Sequence, residues 1–112
     1  MSIIISPSLL AADFLDLKSE VEALNESQDI WIHLDIMDSH FVPNLTFGKP
    51  VLKHLHSLTP HQLDAHFMVS EPDFFVDEFK DLGLYNFTFH WEATVHHDRL
   101  IKKIKSLYPS VG

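Results

Sequence analysis

Four short runs rich in apolar and β-branched residues recur along the chain, at Ile3 to Ser6, Ile30 to Met37, Gln62 to Val69 and Tyr85 to Trp91. Between them, apolar residues fall at three- and four-residue intervals, the spacing that lines one face of a helix. Phe14, Leu17, Val21 and Leu24 mark the first such face, behind Asp13 as its N-cap. Val51, Leu52, Leu55 and Leu58 mark the second, which Pro50 opens after a Pro43-Asn44 turn. Phe75, Val76, Phe79 and Leu82 mark the third, with Pro72 in its first turn and Gly83 as its stop. Leu100, Ile101, Ile104 and Leu107 mark the fourth, which ends near Pro109. This alternation predicts an α/β fold of four βα units on a parallel sheet. Ser110-Val111-Gly112 reads as the approach to a fifth strand that never arrives, so the succession is expected to be truncated.

Within the strands, side chains two apart share a face. His33, Asp35 and Met37 therefore project together, as do Asp64, His66 and Met68, and again Thr88, His90 and Glu92. The intervening apolar residues should meet the helices, leaving the polar set to line the interior near the C-terminal ends of the strands. Two imidazoles and a carboxylate from adjacent strands supply three ligands for a divalent cation of the zinc, iron, cobalt or manganese kind. The same residues also fit a hydrogen-bonded polar core, and spacing does not choose between the two. Met37 and Met68 read on pattern alone as core fillers. His54, His56, His61, His96 and His97 fall on helical or loop segments and are expected to be solvated.

The 112 residues support one core, and 46% hydrophobic content with 21% charged residues is that of a folded, soluble domain. A net charge of -8 with only eight Lys and Arg argues against a nucleic-acid partner. The absence of cysteine removes disulfide and thiol chemistry. The first residues lack the long apolar stretch of a signal or spanning segment, so no membrane partner and a cytoplasmic address are expected.

Several strings resemble one family in order and separation. They are Pro7-Ser8-Leu9-Leu10-Ala11-Ala12-Asp13-Phe14, Trp31-Ile32-His33-Leu34-Asp35-Ile36-Met37-Asp38, Phe41-Val42-Pro43-Asn44, Leu63-Asp64-Ala65-His66-Phe67-Met68-Val69 and His90-Trp91-Glu92-Ala93. All are similar to ribulose-phosphate 3-epimerases. The resemblance implies a TIM (β/α)₈ barrel, of which residues 1–112 would be the first four βα units, a half-barrel. It implies interconversion of the sugar phosphates D-ribulose 5-phosphate and D-xylulose 5-phosphate in the pentose phosphate pathway or the Calvin cycle, with one divalent metal ion. His33, Asp35 and His66 match metal ligands, Asp35 a catalytic carboxylate, Ser8 and His66 substrate contacts, and Met37 and Met68 sulfur-bearing side chains near the reacting atoms. A hexulose-phosphate epimerase, such as one acting on allulose 6-phosphate, shares the metal motifs, and a non-catalytic self-associating half-barrel is the alternative of another class.

The family's second catalytic aspartate and its phosphate-binding backbone belong to later strands, so this chain alone is expected to be inactive. A bare half-barrel exposes edges and its inner face, so a homo-oligomer is expected. Ser39 departs from the family's usual Gly, which should constrain the loop backbone there.

Overall fold

The computed structural model describes residues 2–112. Four parallel strands, β1 (Trp31–Met37), β2 (Gln62–Met68), β3 (Leu84–Phe89) and β4 (Ser110–Val111), pair in chain order. Helices α1 (Leu17–Leu24), α2 (Lys49–Leu55), α3 (Pro72–Glu78) and α4 (His97–Leu107) alternate with them. These are the α/β units that the periodicity predicts, and they fit the N-terminal part of a (β/α)₈ barrel.

The apolar strand face carries the core. Ile32, Leu34 and Ile36 of β1, Leu63, Ala65 and Phe67 of β2 and Phe87 of β3 are buried against Val21, Leu52, Leu55, Val76, Phe79, Leu100 and Ile104 of the helices. Each fully buried aliphatic or aromatic side chain stabilises the fold by about 1.5–3 kcal/mol. Phe67 and Phe87 stack with ring centroids 3.9 Å apart, continuing the core across the β2–β3 ladder. Beyond α4, the buried Tyr108 hydroxyl donates to the Val76 carbonyl at 2.7 Å, which ties the last helix to α3.

Three expectations need correction. Ile3 to Ser6 forms no continuous strand: Ile5 and Ser8 make single parallel bridges to Ile30 and His33. Pro7 has no N–H to extend that ladder, although its carbonyl accepts from His33 N at 2.8 Å. The fourth run ends as a strand at Phe89, and Trp91–Ala93 forms a 3₁₀ turn closed by Ala93 N–H on the His90 carbonyl at 3.0 Å, which lifts Glu92 off the strand face. Ser110 and Val111 already lie in the sheet, paired with Asn86 and Phe87. In addition, Asp13 caps a 3₁₀ turn, Phe14–Asp16, and the α-helix begins only at Leu17.

A bulge changes the phase of β3. Leu63 pairs with Leu84 but Asp64 pairs with Asn86, so Tyr85 is an extra residue. Leu84 and Phe87 can therefore both join the core while Asn86 sits beside Asp64 on the polar face. Among the described residues, no helix is long and apolar enough to cross a membrane.

The loop after β1 is fixed by two side chains. Thr46 Oγ1 donates to the Asp35 carbonyl at 2.6 Å and accepts from Met37 N at 3.0 Å. Asp38 Oδ1 accepts from the backbone of His40 and Phe41, both at 2.8 Å, and its Oδ2 accepts from Ser70 N at 2.8 Å. Between them Ser39 adopts φ +63°, the left-handed region that the Gly expected at this position would occupy without strain.

Burial by itself would raise the Asp38 pKa, but the backbone N–H groups of Ser70, His40 and Phe41, with the nearby His40, outweigh it and hold the carboxyl below its usual range. A carboxylate lowered in this way contributes stability above its unfolded-state pKa, and that contribution is lost as pH falls through the folded value. Asp38→Asn should therefore cost about 1 kcal/mol at neutral pH, a low figure because the loop is partly open to water. The deficit should shrink below ~pH 4. Denaturant unfolding of both chains at pH 7 and pH 3 checks this, and a deficit equal at both would contradict it.

Candidate metal centre

The β1–β2 register places His33 beside Asp64, Asp35 beside His66 and Met37 beside Met68. All six project from the sheet face opposite the core. Asp35 is the centre of this face and only 9% exposed. Its Oδ1 lies 3.1 Å from His33 Nε2 and 3.2 Å from His66 Nδ1, and its Oδ2 accepts the Ser8 hydroxyl at 2.5 Å. Ser8 also accepts from Leu10 N at 3.1 Å, so its hydroxyl is aimed by the turn that follows it.

His33, Asp35 and His66 each offer a ligand atom, and these atoms lie within 4.8 Å of one another. Metal–ligand bonds of about 2.0–2.2 Å bring donor atoms on one ion to roughly 3–3.5 Å of each other, so the two contacts to Asp35 Oδ1 match a shared cation. A carboxylate with two imidazoles is also the donor chemistry of zinc, iron, cobalt and manganese. The side chains of His33, Asp35 and His66 are 24%, 12% and 27% exposed, which leaves the centre open on the interior side.

The surrounding residues extend this network beyond those singled out from the sequence. Asp64 Oδ2 lies 2.8 Å from His33 Nδ1, and its Oδ1 accepts from Asn86 Nδ2 at 2.7 Å. Burial alone would raise the Asp64 pKa, but hydrogen bonds from Asn86, His33 and Ser6 outweigh it and hold the carboxyl ionised below its usual range. His90 Nε2 lies 2.7 Å from His66 Nε2, and the two rings stack at 4.9 Å. Asp64 and His90 were legible as members of the polar face but not as partners of the two histidines. Asn86, two residues before Thr88, shares that face by the same alternation, and its contact with Asp64 follows from the β2–β3 register.

Met37 and Met68 sit half-buried as paired strand ends next to this cluster. Two of the histidines expected to be solvated have partners, His61 Nε2 at 3.2 Å from the Leu24 carbonyl and His97 Nε2 at 2.7 Å from that of Trp91.

Residues 4–112 match the model of the ribulose-phosphate 3 epimerase family. The ribulose-phosphate 3-epimerase of Treponema pallidum is 47% identical over 111 residues, which are 99% of this chain and 51% of that protein. That of Mycobacterium tuberculosis is 47% identical over 97% of this chain and 47% of its own length. That of the fungus Eremothecium gossypii is 41% identical over 92% of this chain and 48% of its own. The chain spans about half the length of the curated relatives it matches. A parallel βα succession, a His-Asp-His cluster on its polar face and a family match along nearly every residue agree, and the chain belongs to the ribulose-phosphate 3-epimerase family.

Proposed function

We propose that this chain carries the metal-binding and first proton-transferring half of an epimerase that interconverts D-ribulose 5-phosphate and D-xylulose 5-phosphate at C3. The observation that supports it best is Asp35, whose Oδ1 meets two imidazole nitrogens at 3.1 and 3.2 Å while Oδ2 is held separately by Ser8. One carboxylate can thus serve a cation with one oxygen and a proton with the other.

Removing the hydrogen beside a ketone leaves an enediolate whose oxygen charge must be stabilised. His33, Asp35 and His66 would hold a divalent ion, which when bound would supply that stabilisation as a Lewis acid. Asp35 takes the C3 proton on Oδ2, and Ser8 orients that oxygen through its hydroxyl. His66 borders the substrate as well as the ion, and Met37 and Met68 present polarisable apolar surface to the reacting carbons. Returning a proton to the opposite face requires a second acid, a role we assign to none of the residues around Asp35.

The chain alone should exchange the C3 hydrogen of ribulose 5-phosphate for solvent deuterium slowly. Its net epimerisation should fall ~10²–10⁴-fold below that of a full-length relative, the usual worth of a missing acid-base partner. Asp35→Asn should abolish the exchange. Turnover equal to the full-length relative, or exchange indifferent to Asp35→Asn, would sink this assignment. Calorimetric titration with Zn²⁺ or Mn²⁺ should show one weak site that disappears in an Asp35→Asn, His66→Ala double variant, and undiminished binding would place the site elsewhere.

Self-association is part of the same proposal. Ile3, Ile5 and Leu15 expose 87%, 65% and 98% of their surface, and among the described residues β4 closes one side of the sheet with its outer edge unpaired. Apolar surface and open edges favour pairing between copies. Sedimentation at micromolar concentration should give a dimer or larger species, and a sharp monomer throughout that range would refute it.

A further inference from the structure

His33 is held between two carboxylates, one of which lies outside the ligand set. Asp35 Oδ1 faces its Nε2 at 3.1 Å, and Asp64 Oδ2 faces its Nδ1 at the shorter 2.8 Å. Asp64 is fixed from three segments: by strand register next to His33, by Asn86 Nδ2 on Oδ1 at 2.7 Å, and by the Ser6 hydroxyl on Oδ2 at 3.2 Å. Asn86 is itself buried and also donates to Thr88 Oγ1 at 2.9 Å, which restricts how Asp64 can turn.

We propose that Asp64 is a positioning residue that fixes the tautomer of His33 and so prepares its Nε2 as a metal ligand. The proposal rests on the metal reading given above. An ionised carboxylate only accepts hydrogen bonds, so the 2.8 Å contact calls for the proton on Nδ1. In the neutral ring the Nε2 lone pair then points at Asp35 Oδ1, and two electron-rich atoms 3.1 Å apart repel unless a proton or a metal cation lies between them. Asp64 therefore biases the pair toward a form that favours a cation. A carboxylate behind a ligating imidazole also raises its basicity and locks its ring plane. Among the described residues His66 has no such carboxylate behind it: its second nitrogen faces His90 Nε2, so the two histidines are prepared by different means.

If Asp64 merely satisfied a half-buried imidazole, its removal would lower stability without changing metal affinity or the protonated nitrogen. Long-range ¹H–¹⁵N correlation spectra of the metal-free chain, recorded above the ordinary imidazole range, separate the two. Neutral His33 should be the Nδ1–H tautomer, and the proton should shift toward Nε2 in Asp64→Ala. Zn²⁺ affinity of Asp64→Ala should fall ~10–100-fold. Asp64→Asn, which keeps one acceptor oxygen, should recover part of that loss and serves as the folded comparison if the alanine variant unfolds. A wild-type Nε2–H tautomer, or Zn²⁺ affinity unchanged in either folded variant, would overturn the role of Asp64 while leaving the metal centre standing. A wild-type chain that binds no Zn²⁺ would overturn both.

Discussion

The interior face of the sheet depends on the pairing of β1 with β2 in a single register. That register sets Asp35 beside His66 and His33 beside Asp64, so every charge on the buried polar face has a partner. A slip of one residue would turn Ile32, Leu34 and Ile36 inward and leave the carboxylates against the helices. Burying an unpaired carboxylate is costly, so the apolar face and the polar face specify the same register for independent reasons. Chemistry and folding therefore constrain the same few residues.

The side chains that surround the cluster act mostly by limiting motion. Thr46 laces the loop after β1 back to the Asp35 carbonyl, and Asp38 joins that loop to the segment after β2. Ser39 carries a left-handed backbone in the middle of this loop, a conformation tolerable because its amide donates to the Asn44 carbonyl at 3.0 Å and Asp38 anchors its neighbours. The backbone that carries the central carboxylate is thereby held where β1 passes into its loop. Small displacements of a proton-transferring group are costly in rate, so under the role proposed for Asp35 such lacing would have a functional meaning.

Much of this was legible in the sequence because period-two alternation on a strand separates the faces directly. Alternation alone puts His33, Asp35 and His66 on one face and the apolar residues between them on the other, and the family resemblance implies a metal centre at those three. Three features escaped for physical reasons. Pairing of Ile3 to Ser6 depends on what lies beside it, which composition does not encode, and Pro7 interrupts the ladder. The bulge at Tyr85 shifts the alternation by one, so Leu84 joins the core although it stands an even number of residues before Asn86 and Thr88 on the polar face. The turn at Trp91–Ala93 follows from a local backbone hydrogen bond that the alternating pattern through Glu92 conceals.

A cation shared by His33, Asp35 and His66 is the claim on which the functional reading rests. Anomalous-difference maps from crystals of the Zn²⁺-loaded chain test it most directly, since they locate the ion independently of any assay. One strong peak is expected within about 2.0–2.3 Å of a nitrogen of each histidine and of Asp35 Oδ1. A peak confined to surface histidines, with the Asp35 cluster empty at saturating Zn²⁺, would contradict it.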